Sequence, residues 1–228
     1  MKGSKIFGTL AIVFGCAAVL FLSETPKVIK YKNGDIKDFS SVAYGELKKG
    51  DLVQGMIDIT DGCIAEMEET NTTFGIETSK RTAARYYACY TCNDFYVLYS
   101  TGNSGQMNTL DKMADETEAY YKEYQMLAED EGEDADFTQI PQPSTTLDFT
   151  AEVEKMPSDL LPIFRDWYGE GFDAPNEVEQ DIVIKYSKFD RFSWVLYAGI
   201  GCAAAAILML VLTIRSFIRQ KRDQQYGY

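Results

Sequence analysis

What most limits how this chain can fold is a pair of uncharged apolar runs, one near each end. Residues 6–22, "IFGTLAIVFGCAAVLFL", follow directly on Lys5, and residues 192–214, "FSWVLYAGIGCAAAAILMLVLTI", lie between Arg191 and Arg215. A helix crosses the hydrocarbon of a bilayer in about 20 apolar residues, with a range of roughly 17–25. The second run meets that length and carries Trp194 and Tyr197 where an interfacial aromatic belt belongs. The first sits at the short end. Both read as transmembrane helices, over 6–22 and 193–214. Lys2 and Lys5 also suit the start of a secretory signal, but the apolar stretch exceeds the ~7–15 residues of such a leader. "VFGC" at 13–16 has a faint likeness to a lipoprotein cleavage site, yet Cys16 leads into "AAVLFL" rather than a polar tether. The reading is a retained anchor, with a cleaved leader as the alternative.

Flanking charge sets the orientation. Residues 1–5 carry Lys2 and Lys5, and the tail 215–228 carries Arg215, Arg219, Lys221 and Arg222 against Asp223. Positive charge stays inside, which places both termini in the cytoplasm and residues 23–192 outside the cell membrane. That middle segment holds 16 Lys and Arg against 34 Asp and Glu, a balance of about −18 within a chain total of −13. So acidic a surface repels nucleic acid. The chain has no histidine, and so lacks the commonest general base, metal ligand and physiological pH switch. We expect no cofactor and no enzyme activity. The expected partners are membrane lipid and another membrane or envelope protein, a second copy of the chain included.

Small residues recur along both apolar runs. Gly8, Ala11, Gly15 and Ala18 follow one helical stripe, and Ala198, Gly201, Cys202 and Ala205 follow another. Such stripes let helix backbones approach closely where lipid offers no hydrophobic drive. Pairing within one chain and pairing between two chains are both open.

Between the runs the pattern is α+β. Residues 25–38 are polar, with an Asn33-Gly34 turn signal, and read as a linker or edge hairpin. Val53, Gly55, Ile57 and Ile59 alternate with polar neighbours as in a half-buried strand. Asp61-Gly62 then reads as a two-residue hairpin turn, with Cys63, Ala65 and Met67 on the return strand. "TNTTFGIETSKRT" reads as a loop. Strands follow at 85–91 and 95–100 around an Asn93-Asp94 turn. A helix capped near Asn108 comes next, with Leu110, Met113, Ala114, Thr117, Tyr121 and Tyr124 on one face. The acidic run 128–136 ends it. "TLDFTAEVEKM" reads as a strand, Pro157-Ser158 opens a helix closed by Gly169 and Gly171, and "QDIVIKYSK" is the last strand. These elements give antiparallel hairpins and two helices, with an OB-like curled sheet as one arrangement.

Cys89 and Cys92 form the single Cys-x-x-Cys, in "YYACYTCNDF". A redox pair of that spacing sits at a helix N-terminus, whereas these fall in a strand and at its end. Along extended chain their Cα atoms stand about 10 Å apart, beyond the ~7 Å a disulfide spans. With the hairpin as drawn, Cys89 faces Leu98 and Cys92 faces Phe95. Free buried thiols and one disulfide from Cys63 to Cys89 or Cys92 both remain open. The acidic run lacks the register of a calcium loop. Tyr86, Tyr87, Tyr90, Tyr96 and Tyr99 could line a ligand face, although such tyrosines more often pair across strands for stability.

"LKKGDLVQGMIDI", "NTTFG" (Asn71 to Gly75) and "LDKMADET", set between two membrane helices, together resemble a family of two-helix membrane proteins of Gram-positive bacteria. The resemblance implies an extracytoplasmic α+β domain and carries over no catalytic residue. "CYTCND" departs from that pattern. The leading reading is a membrane-anchored protein whose outer domain binds or scaffolds an envelope component. The alternatives are an envelope thiol oxidoreductase using Cys89 and Cys92, and a small membrane sensor. Protease added to whole cells is expected to digest the middle segment and spare the basic tail, as read by antibodies against each part.

Overall fold

Pro26 decides how the first apolar run ends. Helix α1 spans Lys2–Ser23 and α2 spans Thr25–Asn33, with proline in the first turn, where its missing N–H costs least. Gly34, at φ 73°, closes α2: its N–H donates to Tyr31 O, and the Asp35 N–H donates to Lys30 O. Asn33-Gly34 is therefore a helix end and not the turn of an edge hairpin. The structure, a computed structural model, describes residues 2–73, 76–93, 95–131, 136–168 and 178–225. It divides into a helical unit of Met1–Asp35 with Lys188–Tyr228, and a sheet unit of Ile36–Ser187.

In the helical unit, α1 packs along helix α5, Phe189–Gln225. The helical stretches Ile6–Asn33 and Trp194–Arg222 are long and apolar enough to cross a membrane. Ile12, Val19, Ile207 and Leu208 point outward and stay exposed, an arrangement that suits hydrocarbon better than water.

The sheet unit holds seven strands: β1 (Lys37–Asp38), β2 (Leu52–Ile57), β3 (Thr60–Thr73), β4 (Ile76–Tyr90), β5 (Tyr96–Thr101), β6 (Leu147–Lys155) and β7 (Val178–Tyr186). Their order is β1-β2-β6-β7-β5-β4-β3. The β1–β2 and β5–β7 pairs are parallel and the others antiparallel. Strands β1 and β3 form the two edges, and no pairing closes them into an OB-like curl among the described residues.

Helix α3 (Ser104–Glu131) covers one face and α4 (Leu160–Tyr168) the other. On the α3 side Leu110 and Met113 meet Tyr87, Tyr99, Val153 and Ile184, together with Phe39, Val42 and Leu47 from the segment before β2. On the α4 side Leu160 and Phe164 meet Ala88, Leu98 and Val183. Alternation explains β6, whose Leu147, Phe149, Ala151 and Val153 all point inward. By contrast β5 buries Val97, Leu98 and Tyr99 in succession because both its faces are covered. Phe149 takes edge contacts from Phe39 at 5.2 Å and Tyr99 at 5.1 Å. Phe39 reaches it only because Gly55 lacks a Cβ, which would lie 2.6 Å from Phe39 Cβ.

Several sequence expectations give way here. Strand β2 pairs with β6, so the β2–β3 hairpin does not exist, and Asp61-Gly62 lies inside β3 at an irregularity between Thr60 and Gly62. Further register shifts fall at Cys63/Ala65, Met67/Glu68 and Asn71/Thr72. The stretch read as a polar loop belongs to the long β3–β4 hairpin, with Phe74 and Gly75 outside the described residues. Asp94, residues 132–135 of the acidic run, and Gly169 and Gly171 also lie outside them. Helix α3 begins a turn earlier than Asn108, capped by Asn103, whose Oδ1 accepts the Gln106 N–H at 3.2 Å.

Glu116 on α3 ties down the chain that leads into β6. Its carboxylate accepts the Thr145 hydroxyl at 2.7 Å and the Thr145 and Ser144 N–H groups at 2.9 Å. These bonds, the Thr145 hydroxyl foremost, hold its pKa at about 2, against an ordinary 4.5. A carboxyl depressed by folding stabilises above its ordinary pKa and loses that contribution as pH falls toward the folded value. Glu116→Gln is therefore expected to unfold at lower denaturant than the parent near neutral pH. The gap should close between about 4.5 and about 2, measured as denaturation midpoints across pH.

Candidate functional site

The Cys-x-x-Cys segment is fixed by how its hairpin closes. The Thr91 N–H donates to Phe95 O at 3.0 Å, and the Phe95 N–H donates to Thr91 Oγ1 at 3.3 Å. Closure on Thr91 and Phe95 shifts the register by one from that read in the sequence, so Cys89 lies opposite Val97 and not Leu98. Cys89 is fully buried, and burial pushes its thiol up to about 12, the reverse of what a reactive thiol needs. Cys92 is exposed in the turn. Cys63 lies opposite Tyr87, which makes Cys89 its diagonal neighbour across β3 and β4. Diagonal positions stand roughly 7–8 Å apart, at the edge of disulfide reach. All the cysteines are free thiols. The Cys63 thiol is raised by burial first and by Glu66 second. Among the described residues no three Cys, Asp or Glu side chains converge as metal ligands.

In the helical unit the small-residue stripe of α1 runs along the contact with α5. Ala18 is buried, and a Cβ on Gly8 would lie 3.9 Å from Thr213 Cγ2. Gly8, Ala11 and Gly15 face Ala206, Leu210 and Thr213 across an open apolar groove of about 600 Å³. On α5, Ala198, Cys202 and Ala205 are half-buried, while Gly201 is exposed with nothing within 4 Å of its Cβ position. The close approach falls instead at Gly199, where a Cβ would stand 3.0 Å from Leu22 Cδ2 and 3.3 Å from Phe21 Cβ. Gly199 is the position the sequence stripe missed. Nearby on the same helix, the Trp194 ring meets Phe21 edge-on at 5.7 Å.

The tyrosines divide into two sets. Tyr86, Tyr87 and Tyr99 are core residues, whereas Tyr90 and Tyr96 are half-buried at the turn end of the β4–β5 hairpin. There β3 makes its first irregularity: Thr60 pairs with Cys89 and Gly62 with Ala88, so Asp61 is pushed out of step. Gly62 takes φ 111°, and a Cβ added to it would lie 3.6 Å from Ala114 Cβ on α3. The Thr60 hydroxyl stabilises the bulge by donating to Ala88 O at 2.8 Å and accepting the Gly62 N–H at 3.3 Å. The bulge carries the Asp61 carboxylate to Tyr96, whose hydroxyl hydrogen-bonds to it. The rings of Tyr90 and Tyr96 stand 4.8 Å apart at 54°. From α3, Tyr121 brings a third phenol into the field of Asp61. Burial first and Asp61 second raise the pKa of both Tyr96 and Tyr121. The same negative field that resists phenolate formation favours a positive charge.

A contrasting cluster lies farther along the same strands. Arg85 Nη1 donates to Asp111 Oδ2 at 2.8 Å, and Arg85 Nε stands 2.7 Å from Glu66 Oε1. The Tyr87 hydroxyl donates to Asp111 Oδ1 at 2.8 Å. Here an arginine balances two carboxylates and ties β3, β4 and α3 together, which makes it a brace.

At neutral pH a maleimide is expected to modify Cys92 in the folded chain and to reach Cys89 only after denaturation, as read by peptide mass.

Comparison of the chain with family models, with curated proteins and with solved structures gives no match.

Proposed function

We propose that this chain is a two-helix membrane protein that holds its acidic α+β domain on the outer side of the membrane, where the domain binds a positively charged surface of another envelope component. The observation that carries this reading is a separately packed sheet unit bracketed by two long apolar helices. Its residues belong to a middle segment balanced near −18. Complementary charge would steer a basic partner toward it and hold the two in register. The likeness of "LKKGDLVQGMIDI" and "LDKMADET" to two-helix envelope proteins of Gram-positive bacteria belongs to the same proposal. A thiol oxidoreductase draws no support from Cys89, whose sulfur is buried and held protonated.

A photo-crosslinking residue at Met126, exposed on α3, tests the reading in whole cells. It is expected to give one adduct of discrete mass that fades as salt is raised. A diffuse smear, or an adduct indifferent to salt, would refute the proposal.

A further inference from the structure

We infer that the open groove between α1 and α5 holds one acyl chain of an anionic phospholipid from the cytoplasmic leaflet. The inference rests on the membrane placement proposed above and is independent of what the outer domain binds.

Two close approaches fix how the helices run. Gly8 lies against Thr213, and Gly199 lies against Phe21 and Leu22, so α1 and α5 are antiparallel. Between those points the contact is uneven. Toward Gly199 it is closed, with Ala18 buried and a Cβ on Gly199 only 3.0 Å from Leu22 Cδ2. Toward Gly8 it opens into the groove of about 600 Å³, lined from residues 8–15 of α1 and 206–214 of α5. Gly15 has nothing within 4 Å of its Cβ position, so neither helix fills the gap there. Thr213 supplies a hydroxyl, but it donates to Met209 O at 2.8 Å inside its own helix. The groove therefore suits hydrocarbon.

Its extent says which hydrocarbon. At 1.5 Å per residue, positions 206–214 rise about 12 Å, within one leaflet of a hydrocarbon core about 30 Å thick. A helix from a second copy would need a path along the whole span, and this one stops at Ala18 and Gly199. An acyl chain needs only the half that is open.

Charge selects the lipid. Beyond Ile214 the groove face continues along α5 through Phe217 to Lys221, at steps of three and four residues. The Lys221 ammonium stands 5.4 Å from the Phe217 ring centroid. Arg215, Arg219 and Arg222 lie on the same stretch, with Asp223 as the opposing charge, and on α1 Lys5 comes just before Gly8. A lysine stem lies along apolar surface while its ammonium reaches the headgroup level. A phospholipid of net negative charge matches this end, whereas a zwitterionic one brings a like charge to it.

The test uses the full chain in vesicles of phosphatidylglycerol mixed equally with phosphatidylcholine, with a diazirine in the acyl chain of one lipid or the other. After irradiation, peptide mass is expected to place phosphatidylglycerol adducts on residues 8–15 and 206–214, with few from phosphatidylcholine. Gly15→Leu fills the groove and should remove those adducts. Gly201→Leu, on an open face of α5 outside the groove, should leave them. Lys221→Gln should cut the preference for phosphatidylglycerol about fivefold, the worth of one basic residue at an anionic surface. Adducts spread evenly over exposed positions such as Val19 and Leu208, equal labelling by both lipids, or labelling unchanged in Gly15→Leu would overturn the inference. So would a groove free of adducts, the result if a second copy fills it. A chain that does not float with the vesicles removes the membrane placement as well, while one that floats but fails the labelling test loses only this site.

Discussion

The sheet depends on one strand. β7 lies between β6 and β5, antiparallel to the first and parallel to the second, and joins β1-β2-β6 to β5-β4-β3. Remove it and two unconnected sheets remain. A parallel partner cannot follow its neighbour directly in sequence, so the chain must leave β5 and return by a long crossover. That crossover contains α3, β6 and α4. The two helices then cover opposite faces, which is why Ile182, Val183 and Ile184 can all be buried in succession. Topology and hydrophobic burial thus impose the same requirement from two directions.

The acidic side chains of the sheet unit are accommodated in distinct ways. Glu66 and Asp111 share Arg85. Glu116 uses main-chain and hydroxyl donors. Glu179 is buried and accepts the Gly45 N–H, with its pKa raised chiefly by that burial. Asp61 has phenols around it. The donors around Glu66, Asp111 and Glu116 favour their carboxylates locally, whereas burial works against the charge of Glu179.

How much of this was legible in the sequence varied with the kind of signal. Strand β6 and both sheet-covering helices follow from periodicity, because each buries a face that its own residues define, while β5 and β7 show as short continuous apolar runs. The false β2–β3 hairpin came from Asp61-Gly62, since a glycine at positive φ serves a two-residue turn and a bulge equally well. The outer β3–β4 hairpin lacks apolar alternation and is held by pairing between its own two strands, which no local pattern announces. Helix α2 was hidden by its polar composition, although Pro26 and Gly34 stand where a helix start and end want them. The Asp61 cluster was out of reach because its members come from segments near residues 61, 90, 96 and 121. Only the bulge and the path of α3 bring them together.

The irregular course of β3 has a further effect. It is an outermost strand among the described residues, 14 residues long, and an edge of that length would ordinarily invite another polypeptide to zip alongside. Extra residues at Asp61 and Ile64 interrupt the row near its start, and Glu66, Glu68 and Glu69 crowd the margin beyond with like charge. The strand thus offers any second polypeptide a margin that is interrupted at one end and negatively charged beyond it.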